Sequence, residues 1–182
     1  FISERFSPDI GGVARSATRT AATLAQLGLN VEVLALTRPL PAGVRETIAF
    51  SEPVDSPGRV TLHRLGMFAN LDYTLQHSLT FLESLQRVTP FDGVWGHYLA
   101  PAGFLAVVFA RTAGIPATVS ARGNDVDLMM LPPGDFARLT WTLERARAVT
   151  AVSADLAKKI RMLVDDRPVR IIHNSVDLNV FQ

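Results

Sequence analysis

Apolar residues along this chain fall into two alternating rhythms. From Val13 they recur at Ala17, Ala21, Leu24 and Leu27, with Arg15 and Arg19 on other faces, the spacing of an amphipathic helix. Gly28 then suits the left-handed residue that closes such a helix. From Asn30 to Leu36 the pattern changes to an unbroken apolar run rich in β-formers, which predicts a strand buried on both faces. Phe1, Ile2 and Ser3 supply the stub of an earlier strand. Strand, turn, helix and strand within about 35 residues make a βαβ unit, whose crossover is right-handed and whose strands are parallel.

The same alternation continues to the end. Arg38 to Gly58 is broken by Pro39, Pro41, Gly43, Pro53 and Pro57 and reads as a long surface excursion, with room for a short strand at Thr47 to Phe50. Val60 to Arg64 is the next strand, and His63 within it is expected at an edge with a solvated ring. Asn70 can cap a helix to about Val88 that carries Leu71, Leu75, Leu79, Leu82 and Leu85 on one stripe. A turn at Pro90 to Gly93 leads to a strand at Val94 to Tyr98. A deeply buried helix is then expected from Pro101 to Ala113, with Gly114 after its last turn. Pro116 to Ala121 is a strand, Pro132, Pro133 and Gly134 precede a helix to about Arg145, and Ala148 to Val152 is a strand. Ser153 caps a helix that buries Leu156, Ile160 and Leu163, and Val169 to Ile172 closes the series. The expected fold class is α/β: a doubly wound, mostly parallel, Rossmann-like sheet of about six or seven strands with helices on both faces, formed as a single domain over residues 1–182.

Composition narrows the chemistry. Eighteen Lys and Arg against seventeen Asp and Glu leave no bulk charge to hold a nucleic acid. Without cysteine there is no disulfide framework, thiolate metal site or cysteine nucleophile, which suits a cytoplasmic protein. The longest apolar run, Leu99 to Ala110, is interrupted by Pro101 and Gly103 and falls short of the roughly 20 residues a membrane span needs. The Asn70 to Val88 helix holds one arginine and no lysine, so packing on the sheet is favoured over a membrane-surface role. Because residue 1 is Phe and the first strand has barely begun, upstream residues are expected to have been removed or left out.

Ligands of open α/β sheets bind beyond the carboxyl ends of the strands, near the point where strand order reverses. There the sequence places Gly11 and Gly12, His97, Arg122 to Asp125, Ser153 and Asn174. The adjacent glycines allow positive φ and close approach to the backbone, and the free N–H groups of the following helical turn attract anions, phosphate above all. A lone histidine at a strand end is more often structural than catalytic, and Arg122 and Asp125 can simply pair with each other. A dinucleotide fingerprint is missing at the first turn, no G-x-S-x-G elbow is present, and the histidines at 63, 77, 97 and 173 lack metal spacing. Neither Tyr73 nor Tyr98 has a lysine four residues on, against an epimerase-type pair.

Five stretches in order resemble family 4 glycosyltransferases of the GT-B fold. They are Ser7 to Val13 with its helix and the Asn30 to Leu34 strand, Asp92 to Tyr98 with Pro101 to Gly103, Gly114 to Pro116, Val149 to Ser153, and Val169 to Asp177. The resemblance implies retaining transfer of a sugar from a nucleotide-sugar donor to a glycan or lipid-linked acceptor, in a cleft between two Rossmann-like domains, with no obligatory metal and no other cofactor. It implies that Gly11 and Gly12 face the donor's phosphates and transferred sugar and that His97 bonds the sugar near the reacting carbon. Arg122, Asn124, Asp125, Ser153 and Asn174 would then line the cleft. The family commonly has His where Trp95 and Arg122 stand, and Gly at Ser175. Its nucleotide-holding domain, with paired glutamates in an E-x7-E motif, would begin where this chain stops. The reading is thus an N-terminal, acceptor-side domain, inactive alone, with its own C-terminal domain as partner. Cell-envelope polysaccharide synthesis, peripheral contact with the inner face of the membrane and self-association through the exposed cleft face are all compatible with it. The alternative is a self-contained module that binds a small anionic or carbohydrate ligand without catalysis.

Overall fold

Each apolar run becomes a strand of one sheet, and helices return the chain to the same end of that sheet. The computed structural model describes residues 1–50 and 56–174. Its first half comprises β1 (Ile2–Ser3), α1 (Gly12–Gln26), β2 (Val31–Thr37), β3 (Arg45–Phe50), β4 (Val60–Gly66) and α2 (Leu71–Val88). The second half holds β5 (Val94–His97), a wide π-type turn at Leu99–Gly103, α3 (Phe104–Ala113), β6 (Ala117–Ala121), α4 (Asp125–Met129), α5 (Pro133–Arg145), β7 (Ala148–Ala151), α6 (Ala154–Leu163) and β8 (Val169–Ile171). Strand order is β3-β4-β2-β1-β5-β6-β7-β8, and β3 alone runs antiparallel. This is the expected doubly wound, Rossmann-like class, with eight strands among the described residues because the proline-rich excursion contributes β3.

The two faces are covered unequally. Helix α1 packs on Val31, Val33, Ala35, Val60 and Leu62, while α2, α3, α5 and α6 bring Phe81, Leu82, Leu105, Phe109, Leu139 and Ile160 to the other face. Right-handed crossovers explain the split: the chain winds away from β1 in one direction through α1 and in the other through the remaining helices. In α1 the buried positions are Ala14, Ala17, Ala21 and Ala25: Ala17 and Ala21 of the predicted stripe are inside, Val13 and Leu24 are half-buried, and Leu27 is exposed. Alanine is the residue that lets helix and sheet approach closely, so the alanine face wins over the leucine face. In α2 the same contest puts Thr74, Ser78, Phe81 and Leu82 inside, and Asn70 caps the helix by accepting from Asp72 N.

Other differences have local causes. The helix expected from Pro101 begins at Phe104, because Ala100 is extended (φ −146°, ψ 143°) and the chain makes the wide turn first. Pro133 is the first residue of α5 rather than a residue before it, where its missing N–H costs nothing. Strand β3 is longer than the Thr47 to Phe50 segment and covers β4, so His63 is no edge residue. It is buried, with Nε2 2.8 Å from Glu32 Oε2 and Nδ1 3.0 Å from Thr47 Oγ1.

Candidate functional site

Strand β1 lies between β2 and β5, so strand order reverses beside it. The ladders align Ser3 with Ala35 and His97, His97 with Ser120, and Ser120 with Thr150. Everything that follows these residues in sequence therefore emerges at one carboxyl rim. Gly11, Gly12, His97, Arg122, Asn124, Asp125, Ser153 and Asn174 all belong to it; Ser175 to Asp177 lie outside the described residues.

The rim's first component is the turn into α1. Gly11 has φ 139°, which side-chain-bearing residues rarely adopt, and a Cβ on Gly11 or Gly12 would meet nothing within 4 Å. Helix α1 has no side-chain cap and no acidic residue in its first turn, leaving its terminal N–H groups open. The turn itself is held: Asp9 N donates to Phe6 O at 2.8 Å, and Ser7 N to Thr18 Oγ1 at 3.1 Å. Asp9 also faces Thr37 and lies 3.7 Å from Arg64.

Arg122 joins this turn to the far strands. Its Nη2 donates to Ser16 Oγ, one turn into α1, and to Asn174 Oδ1 at 2.6 Å, beyond β8. The ion pair with Asp125 that the sequence allows does not form. Asp125 instead accepts backbone N–H groups from Leu99 (3.1 Å), Arg122 (3.2 Å) and Gly123 (3.0 Å), tying the loop after β6 to the wide turn after β5. Burial pushes the Asp125 carboxyl up, against the lowering effect of these N–H donors, and presses the Arg122 guanidinium down.

His97 is completely enclosed, with the Phe1 ring centroid 5.4 Å from its own. Burial, helped by the Arg122 charge, pushes it down to about 3, so the imidazole is neutral at physiological pH. Neither ring nitrogen has a hydrogen-bond partner among the described residues. Ser153 performs its structural task, accepting Leu156 N at 3.2 Å as the cap of α6.

Two residues on this rim go beyond the candidates singled out from the sequence. Tyr98 has φ 99° and donates its hydroxyl to Asn124 Oδ1, so Asn124 caps nothing and braces the tyrosine instead. Glu4, the first residue after β1, has its carboxyl pushed up by burial and by Asp125, with Arg38 and Arg5 opposing. A carboxylate directly after a central strand was the available signal for it; a positive φ at a tyrosine has none. Among the described residues no three His, Asp or Glu side chains are grouped to hold a metal ion, and no helix is long and apolar enough to cross a membrane.

The rim therefore offers oriented N–H groups and one guanidinium, with the neutral imidazole of His97 enclosed beneath them. Oriented N–H groups beside a guanidinium suit an anion such as phosphate. A family model described as Glycosyltransferase Family 4 matches residues 10–180. No curated protein matches the chain significantly.

Proposed function

The chain belongs to glycosyltransferase family 4, and we propose that it is the N-terminal, acceptor-side domain of a retaining enzyme that moves a sugar from a nucleotide-sugar donor to a carbohydrate or lipid-linked acceptor. The observation that carries this reading is the uncapped amino end of α1, open at Gly11 and Gly12 and flanked by Arg122. Sugar transfer leaves a nucleoside diphosphate, whose charge grows as the glycosidic bond breaks. Preoriented N–H groups and a guanidinium stabilise that charge where water cannot.

The remaining rim residues take supporting parts. The neutral His97 could share a hydrogen bond with a sugar hydroxyl near the reacting carbon only once the groups enclosing it move aside, and it is no proton donor of the general-acid kind at neutral pH. Asp125 is a positioning residue: it fixes the backbone that presents Arg122. Asn124 and Asn174 line the cleft beside Tyr98 and Arg122. The nucleotide and the paired glutamates belong to a second domain, so this domain by itself should show no turnover. Lipid-linked acceptors would bring the work to the cytoplasmic face of a membrane.

The test is a nucleotide-sugar screen on the complete protein, read by release of free nucleoside diphosphate. Release with one donor, lost when Arg122 is replaced by Ala, supports the reading. Normal turnover by the 182-residue chain alone would overturn the division of labour. Binding of sugars or anions without release from any donor would favour a non-catalytic module.

A further inference from the structure

The carboxyl rim changes character along its length. At the β1 and β2 end it is polar, with Glu4, Arg5, Asp9 and Arg38 following those strands. Beyond β6 it turns apolar. Leu128, Met130, Leu131 and Phe136 are all exposed there, Leu131 by 87 % and Leu128 by 65 %, within one stretch of nine residues. Single exposed apolar side chains are ordinary on a protein surface, whereas several gathered in one place mark a contact.

The local fold keeps these four outside. Helix α4 buries Val126 and Met129 in the core and α5 buries Leu139 and Leu143, so the inward positions of both helices are filled. Leu128 takes the outer side of α4, Met130 and Leu131 stand between the helices ahead of the stiff Pro132–Pro133 pair, and Phe136 stays out three residues before Leu139. The apolar bank is continuous with the site, because Asp125, the first residue of α4, holds the N–H groups of Leu99 and Arg122. It lies across the sheet from the anion-binding turn: α1 packs on one face, α4 and α5 on the other. A donor whose phosphates meet Gly11 and Gly12 is held away from the bank, which leaves it to the other substrate.

Charge and size narrow the occupant. From Asp125 to Arg138 three aspartates stand against one arginine. The cations there are taken within the chain, Lys159 by Asp127 at 3.0 Å and Arg138 by Asp72 at 2.7 Å. An anionic headgroup is repelled rather than drawn in. Nine residues are also far fewer than the roughly 20–30 a side that a stable protein interface takes. We propose that the bank holds the hydrocarbon portion of the acceptor, whose hydroxyl end then lies towards Tyr98 and Asn124. The acceptor class is thus an amphipathic molecule with an uncharged apolar end, selected over a free sugar. That the bank serves an acceptor rests on the sugar-transfer reading; that it binds hydrocarbon does not.

The experiment compares octyl β-glucoside, below its micelle concentration, with methyl β-glucoside as ligands of the complete protein, by calorimetry. The octyl compound should bind at least about tenfold more tightly. Leu128→Ser combined with Leu131→Ser, both exposed so that the fold survives, should cut that preference below about twofold. Leu27→Ser and Met162→Ser, at exposed apolar positions near the far ends of α1 and α6, should leave it unchanged. Equal affinity for the two glucosides, or a preference that survives the double substitution, would overturn the proposal. So would slow alkylation of Leu131→Cys before any glucoside is added, since the second domain would then cover the bank. Leu131-dependent pelleting with phosphatidylcholine vesicles, without preference for the octyl compound, would overturn it in favour of a bilayer surface. The two readings fail separately: release of nucleoside diphosphate tests transfer, and the glucoside comparison needs none.

Discussion

Two pairs of glycines serve this fold in opposite ways. Around Gly11 and Gly12 the space where a side chain would stand is empty to 4 Å. At Gly96 a Cβ would lie 2.4 Å from Gly103 Cα, and at Gly103 one would lie 2.8 Å from Tyr98 O. The first pair keeps backbone open to another molecule; the second lets the wide turn after β5 press onto its own strand. The same residue type thus marks a binding surface in one region and a packing contact in the other. Only the surroundings tell them apart.

Substitution is the direct way to break this contrast. The largest effect is expected for Gly96→Ala: with backbone on the far side of the contact nothing flexible can give way, and a loss of about 3 kcal/mol or more follows. Chemical denaturation measures it, and a loss below about 1 kcal/mol would mean that the turn can move off the strand. Asp125→Ala comes next. It leaves three N–H groups around that same turn without their acceptor, at an expected cost of about 2–3 kcal/mol.

His97 adds a pH signature between the two regions. Its folded value of about 3 lies below the ordinary 6.5, so between these values the unfolded chain binds a proton that the folded one refuses. Its contribution is fully present above pH 6.5 and is lost as pH falls towards 3, with a slope of up to roughly 1.4 kcal/mol per pH unit. His97→Gln should flatten that part of a stability-against-pH curve. Because the ring is enclosed, His97→Ala should cost stability as well as turnover. The smallest change in stability is expected at Gly12→Ala, within about 1 kcal/mol and in the stabilising direction. In the complete enzyme that methyl should still impair donor binding, seen as a raised KM. Unchanged KM would deprive the open glycine turn of its assigned meaning.

Much of this architecture could be read from the chain because its strands are apolar on both faces and its helices end at Gly28 and Gly114. The Gly11–Gly12 turn was legible for the same reason, being local. What escaped was set by tertiary contact. The stripe read for α1 included Ala17 and Ala21 but leaned on Leu24 and Leu27, whereas Ala14 and Ala25 complete the face on the sheet because closeness to it matters more than side-chain size. The partners of Arg122 lie 106 and 52 residues away in sequence, at Ser16 and Asn174, and no spacing rule reaches so far. The neighbouring Asp125 looked the natural partner, but backbone amides claimed it first.

The central position of β1 also sets a timetable. Ile2 and Ser3 are made before both of their flanking partners, and one of these, Gly96 and His97, follows more than ninety residues later. At roughly 5–20 residues per second of synthesis, β1 waits on the order of 5–20 s before it can be enclosed on both sides. Until then it can pair with β2 alone and keeps one unsatisfied edge. Assembly of the sheet's middle is therefore a late event in the birth of this protein.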